Sequence, residues 1–579
     1  MRCVHDDECA EITARKLQIF LQITRRKFLR RQRNASKNAA TQNRQRLGPT
    51  SRTSAWVESM PHYRSALGLP LLFTVAMTAP SCKAGNTPAL AKGEPAADEA
   101  PPEVQSPPAD GPKLLVLQSG TVIYDRPSTS GRVLGELRAG TVIARSRDAY
   151  TRRECSEGWY VVRPKGFVCA GEAATTDLSL AATMPPGPDL DKPLPYRYGR
   201  ARTEGVPVYT RLPMPAEQAT EEPDLKRFLS RRAKADEELL GATSNDVPLD
   251  ARGVPTGPPV LMPGVDGANE SAKRYVGGFY LFPKDLIPPL APLAAKTGEL
   301  KGGVLRKNSG VAIAGSFTTN LGAEARRFGV TPSGAVIAID RLRPVLGTTW
   351  FGMDVEKVGL PVAFVHKAGV HGWTLRRGEA ETNDDDLERR SIVPLTGKFR
   401  TVNGVRYEQT REDYWLRAMD VVVVIRRTKF PEFAKGNQKW LDISLANQTL
   451  TAYEGQKPVY VTLISSGRDV LKEGEDASTT ARGTFRIQKK FITKAIDSRE
   501  VRGEFDVADA PWVMEFAPNN ALMGTYWGDG IGEAHTHHAI ALSPVDARRI
   551  WRWSEPEVPE GWHGVTDTMG EGTYVVVRP

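Results

Sequence analysis

Apolar and polar residues alternate in short runs through most of the chain, the period of half-buried β-strands, and stretches of helical period are few. Residues 440–453 alternate on both sides of Asn447-Gln448, which reads as two paired strands joined by a polar turn. Residues 459–467 read as the next strand. Near the end the period changes: Ser543 and Pro544 precede apolar residues at helical spacing up to Trp553, the signature of a capped helix with proline in its first turn. A second amphipathic helical pattern, 224–240, interrupts a loop-rich stretch at 185–264. Residues 113–172 form a compact series of strand-like runs. A weaker echo follows at 392–425, where Gly397 and Trp415 stand 18 apart (415 − 397), against 19 for Gly140 and Trp159 (159 − 140). Strand-like runs also cross 302–365, and nothing in them names a chemistry. His366 and His371 read as structural.

The fold class implied is mainly β and multidomain. Composition agrees, since 579 residues with 52 Gly and 43 Pro at 40% hydrophobic favour strands and loops over long helices. The net charge of +10 would suit a nucleic-acid binder, but it is concentrated at one end. Residues 1–59 hold 13 Lys/Arg against 5 Asp/Glu, a balance of +8 (13 − 5), which leaves +2 (10 − 8) for the rest. The remainder is close to neutral, and no nucleic-acid partner is expected.

From Met60 a short basic stretch, an apolar core and small residues lead to Cys82, the pattern of a bacterial export signal. The apolar run is shorter than the ~20 residues of a membrane span, so cleavage is expected. The basic extension 1–59 is then read as lying upstream of the true start. Residues 79–82, Ala-Pro-Ser-Cys, resemble a lipobox, which makes Cys82 the expected lipidation site of a membrane-anchored periplasmic lipoprotein. Ordinary cleavage there would leave a soluble periplasmic protein. Residues 83–112, rich in Pro, Ala, Glu and Asp, have too little apolar surface to fold and read as a disordered tether.

The runs at 121–128, 131–143, 158–162 and 166–169 resemble a bacterial SH3 domain, a small barrel, placed at 113–172. Its Cys155 and Cys169 are the only cysteines after Cys82, and an oxidising compartment would pair them as a disulfide. The expected order then continues with a loop-rich linker with one helix at 173–300. A β-rich region with a second SH3-like module follows at 301–430, and a last domain at 438–579.

That last domain carries the strongest resemblance. Residues 480–487 (TARGTFRI) resemble the threonine-proline-x-glycine-x-phenylalanine strand entry of L,D-transpeptidase, or YkuD, domains, with Ala481 replacing proline. Residues 536–539, Thr-His-His-Ala, stand where that family carries Ser-His-Gly-Cys. Residues 523–528, Met-Gly-Thr-Tyr-Trp-Gly, stand where it carries His-Gly-x-x-Trp-His. In the family a cysteine thiolate attacks a peptidoglycan stem-peptide carbonyl, a histidine serves as base, and an amine on a second stem peptide resolves the acyl-enzyme. Here the nucleophile position is Ala539, the base position Met523 and the motif glycine His538, while the spacing from 523 to 539 (539 − 523 = 16) suits the family. Groups that act as a unit lose most of their acceleration when any one is removed. The resemblance therefore implies the fold without the reaction, with Thr536 and His537 the retained motif residues, and no cofactor.

On this reading Tyr526, Trp527, His535, His537 and His538 line an emptied cleft that binds peptidoglycan or a cell-wall enzyme. Two alternatives stay open. One is an active L,D-transpeptidase with an unrecognised nucleophile, for which Thr536 and Ser543 lack a placed base. The other is a metal-binding protein or hydrolase, in which His535 and His537 share one face of a strand and Asp529 or Glu533 completes a zinc or copper site.

Overall fold

The computed structural model describes residues 103–228, 230, 300–319, 326–345, 347–469, 478–496 and 505–579. The basic extension, the export signal with Cys82, most of the tether and residues 231–240 of the expected helix lie outside them. Residues 95–579 form one compact unit, mainly β.

The C-terminal domain is two facing sheets. The hairpin expected at 440–453 forms as strands Lys439–Ser444 and Thr449–Glu454 with Ile443 opposite Leu450, and Gln448 in the turn takes φ 51°. Strand Lys457–Leu463 continues that sheet on one side, and Tyr574–Arg578 and Gly483–Arg486 on the other. The second sheet contains Lys489–Ile496, Val507–Ala517, Asn520–Gly524, Ile540–Leu542 and Gly564–Thr566. Alternation sends Leu441, Ile443 and Leu450 from the first sheet against Trp512, Met514, Leu522 and Ile540 from the second. Ala547, Ile550 and Trp551 of the helix Pro544–Trp553 complete that core.

Both helix ends are satisfied. Ser543 Oγ accepts from Asp546 N at 3.1 Å. At the other end buried Lys490 donates through Nζ to the Trp551 and Ser554 carbonyls at 2.5 and 2.7 Å. Burial pulls this amine down to about 7, and an uncharged amine supplies two N–H donors for the two carbonyls.

Upstream, one pairing pattern occurs three times. The first module runs from Lys113–Val116 through Thr121–Tyr124, Val133–Leu137, Val142–Ala144, Gly158–Val161 and Phe167–Ala170 to Ala174–Thr175. The second uses Arg197–Ala201, Val206–Tyr209, Lys301–Leu305, Gly310–Ile313, Arg326–Val330, Val336–Ala338 and Leu342–Val345. The third uses Val362–Val365, Val370–Arg376, Glu379–Leu387, Ile392–Val402, Val405–Thr410, Trp415–Arg417 and Val421–Val424. In each, the first strand pairs with the fourth and seventh. The second pairs with the third and sixth, and the fifth with the sixth. The stretch at 173–300 is thus not only a linker, because two of its strands belong to the second module. The echo at 392–425 is the later part of the third module, which begins at Val362. Inside 173–300 an α-helix spans Pro215–Glu221 and stops ahead of Pro223, whose ring cannot continue it. Helical residues resume at 225, where Phe228 N donates to Asp224 O at 2.8 Å.

All three modules touch the C-terminal domain. Val133–Leu137 of the first pairs with Gly564–Thr566, and a Cβ on Gly135 would lie 2.3 Å from the Gly564 carbonyl, so the contact requires glycine there. Arg138 reaches across to Asp509 at 2.6 Å. In the second module Gly310 lies opposite Val507 in parallel register and donates to Asp506 O at 2.8 Å. Arg390 of the third, buried, holds Asp529 at 2.5 Å. The disulfide Cys155–Cys169 links two segments of the first module with Cα atoms 5.7 Å apart.

Candidate functional site

Strands Asn520–Gly524 and Ile540–Leu542 run parallel, with Met523 opposite Ala541. Met523 is the penultimate residue of one strand, and Ala539 immediately precedes the other. Both are buried, 4% and 3% exposed, and both belong to one apolar cluster. The other members decide what the site is. They include Tyr526, Ala510 and Val513 of this domain and Tyr196, Tyr198, Ala312 and Val345 from the second module or the residues leading into it. Met523 and Ala539, which the sequence resemblance sets at the base and nucleophile positions, therefore lie in a packed seam between two modules. A thioether and a methyl group occupy them, and neither can attack a carbonyl or move a proton.

Tyr526 is fully buried in this seam. Its Oη donates to the Ala508 carbonyl at 2.8 Å and its ring lies 4.1 Å from that of Tyr198. Burial holds both phenols well above their usual range. Trp527 packs edge-on against Tyr526 at 5.2 Å, and its carbonyl accepts from Arg200 at 3.1 Å. These two residues, expected to line an open cleft, are packing residues of the seam. The sequence offered one signal for this, tyrosines at 196 and 198 that a strand places on one face.

The histidine segment has a different geometry from the one expected. Thr536 Oγ1 donates to the Ala539 carbonyl at 2.5 Å, and residues 537–538 bend instead of extending as a strand. Thr536 is tied on both sides, donating to Ser466 O and accepting from Arg468 N, each at 3.0 Å. His537 and His538, half-buried, meet ring to ring at 4.2 Å and 80°. His538 Nδ1 lies 3.1 Å from the Thr479 carbonyl, and its own carbonyl accepts from Thr480 Oγ1 at 2.9 Å.

His535 turns away to Glu533, with Nε2 2.7 Å from the carboxylate. The bend removes the shared strand face on which the metal reading of His535 and His537 depended. Both proposed completing ligands are engaged, Asp529 by Arg390 and Glu533 by Arg389, each at 2.5 Å. Burial pushes the Glu533 carboxyl up, but His535 and Arg389 outweigh it and hold it below its ordinary value. Among the described residues no three His, Cys, Asp or Glu side chains converge as metal ligands. Sequence reasoning also missed the clamp of Arg389 and Arg390 on 529–533, since two arginines in a surface loop carry no signal of a distant partner. Ser543, weighed as a nucleophile, caps its helix and bonds Asp546 instead.

Residues 438–577 match the family model YkuD, the L,D-transpeptidase catalytic domain. Similar solved structures include an L,D-transpeptidase from Xylanimonas cellulosilytica, 20% identical, with 26% of this chain and 65% of that one covered at a TM-score of 0.19. An L,D-transpeptidase from Mycobacterium smegmatis is 18% identical over 32% and 77%, with a TM-score of 0.19. The catalytic domain of the E. faecium enzyme is 16% identical over 24% and 98%, with a TM-score of 0.18. The chain thus spans a little under two thirds of the first of these. No curated protein matches the chain. The C-terminal part, residues 438–577, is a YkuD domain with the fold of the L,D-transpeptidase catalytic domain.

Proposed function

We propose that this chain is a non-catalytic YkuD-domain protein of the bacterial cell wall, exported and lipid-anchored through Cys82 in the periplasm, where it associates with peptidoglycan. One observation carries the first part of this reading: Met523 and Ala539 are buried together in an apolar cluster shared with the second module. A lost thiol in an open cleft could be an isolated event. Here nucleophile, base and the space between them are replaced by packing, which a substrate carbonyl could enter only by parting two modules.

The wall setting is supported by the YkuD match, since peptidoglycan is what that family acts on, and by the export-signal pattern at 60–82. The disulfide Cys155–Cys169 suits an oxidising compartment. The first and third modules, which we read as SH3-like, and the half-buried edge at His537 and His538 offer the contacting surfaces, because the former cleft does not. The test is co-sedimentation of the full chain with purified sacculi, alongside mass spectrometry after incubation with a carbapenem. Sedimentation with no acyl adduct is expected. A stoichiometric adduct would establish an unrecognised nucleophile, and failure to sediment would remove the peptidoglycan reading.

A further inference from the structure

The pairing registers align the three modules residue by residue. The second and sixth strands meet at Tyr124 and Phe167 in the first copy, Tyr209 and Val336 in the second, and Trp373 and Trp415 in the third. The fifth and sixth meet at Trp159 and Cys169, Phe328 and Ala338, and Tyr407 and Arg417. Residues facing each other across a pair, or two apart on one strand, share a face. Every copy therefore has the same sheet face, and in every copy it is aromatic.

What closes that face differs. In the first copy Cys155 and Val104 pack over Trp159 and Phe167, with the disulfide to Cys169 holding the cover in place. In the second, Leu212 and Leu300 pack against Tyr209 and Phe328. An acidic residue after the helix Pro215–Glu221 completes the closure. Glu222, buried, accepts from Tyr209 Oη at 3.0 Å and pairs with Arg326 and Arg341, each at 2.7 Å.

In the third copy, Tyr407 and Trp415 belong to none of the apolar clusters formed with other segments among the described residues. Both are buried, Tyr407 edge-on to the Trp373 ring at 5.6 Å, and the two tryptophans lie beneath cations of their own sheet. The Arg400 guanidinium lies 5.3 Å over Trp415 and that of Arg417 4.8 Å over Trp373. Arg417 also pairs with Asp420 at 2.6 Å, but Arg400, exposed, has no carboxylate partner among the described residues. Lys398, two residues before Arg400 on the same strand, is exposed as well. The indole Nε1 of Trp373 is buried without a hydrogen-bond partner.

We propose that this face of the third module, built on Trp373, Tyr407, Trp415, Arg400 and Arg417, docks an acidic peptide segment of a partner protein. The second copy supplies the precedent within the chain, because its equivalent face is closed by apolar side chains and a carboxylate set on arginines. An acidic segment laid over the third copy would pair with Arg400 and take its guanidinium, seated over Trp415, out of water, where such contacts strengthen. This surface lies outside the C-terminal domain and stands whether or not the chain binds peptidoglycan.

The test places a photo-reactive residue, Lys398→p-benzoylphenylalanine, in the full chain in cells that export it, and maps the cross-linked peptide by mass spectrometry. The expected result is cross-linking to an acidic segment of one protein, falling about ten-fold in the Arg400→Glu variant with its melting temperature unchanged. Cross-links only to glycan or to a second copy of the chain, cross-links that survive the charge reversal, or none at all in the folded protein would each overturn the proposal.

Discussion

Gly310→Ala tests how tightly the second module is packed over Tyr526 and the cluster that holds Met523 and Ala539. An added Cβ would lie 2.3 Å from Tyr526 Oη and 2.7 and 2.9 Å from two ring carbons. Contact distance for such pairs is about 3.5 Å, so roughly 1 Å of movement is demanded. Neither side is free to give it. Tyr526 is fully buried, bonded to Ala508 O at 2.8 Å and packed against Tyr198. Gly310 is held by its bond to Asp506 O at 2.8 Å and by its register against Arg200 and Val507.

Overpacking a rigid site costs about 1–3 kcal/mol, and losing the Tyr526 hydrogen bond adds about 1. Urea denaturation followed by tryptophan fluorescence should therefore show Gly310→Ala destabilised by roughly 2–4 kcal/mol. In a Tyr526→Ala background the methyl enters the space the ring vacates, and the same change should cost less than about 0.5 kcal/mol, a coupling that a double-mutant cycle reads directly. A neutral Gly310→Ala, or an equal cost in both backgrounds, would refute the claim that the second module is packed closely over Tyr526.

Two further outcomes follow from the junction with the first module. Burial, then Arg138, pulls His563 from 6.5 down to about 4, so below pH 6.5 the unfolded chain binds a proton that the folded chain refuses. Stability should fall between about pH 6.5 and 4, by at most about 3 kcal/mol. His563→Gln should flatten that slope in thermal melts at stepped pH, and an unchanged slope would show that other groups cause it. Replacing Cys155 and Cys169 by serine opens a loop with a sequence separation of 14 and should cost about 3 kcal/mol, read as a lower melting temperature of the first module under non-reducing conditions.

The parts legible in the sequence were those written in local pattern. The hairpin around Asn447-Gln448 and the helix after Ser543 are set by alternation and by a cap, signals that need no knowledge of distant contacts. The departures from the family motif were legible too, since Ala539 and Met523 are identities and not geometries. What packs around them was not. Tyr526 reads as a cleft residue until Tyr198 is placed over it, and that strand lies more than three hundred residues earlier. The second module was hidden because its pairs join Val206–Tyr209 to Lys301–Leu305, elements far apart along the chain. The histidine cluster misled through period: alternation put His535 and His537 on one face, but Thr536 bonds the Ala539 carbonyl and bends the segment, which sends His535 to Glu533.

The central claim, that Met523 and Ala539 lie inside a seam, is tested most directly by alkylation of an Ala539→Cys variant of the full chain, quantified at residue 539 by mass spectrometry. Ala539 is 3% exposed beneath the second module, so the native chain should be labelled at least about 100-fold more slowly than the urea-unfolded chain, the equivalent of roughly 2.8 kcal/mol of local opening. Tyr198→Ala, which thins the covering layer, should recover much of the rate. Rapid, stoichiometric labelling of residue 539 in the native chain, unaffected by Tyr198→Ala, would mean that the cleft is open and would contradict the account.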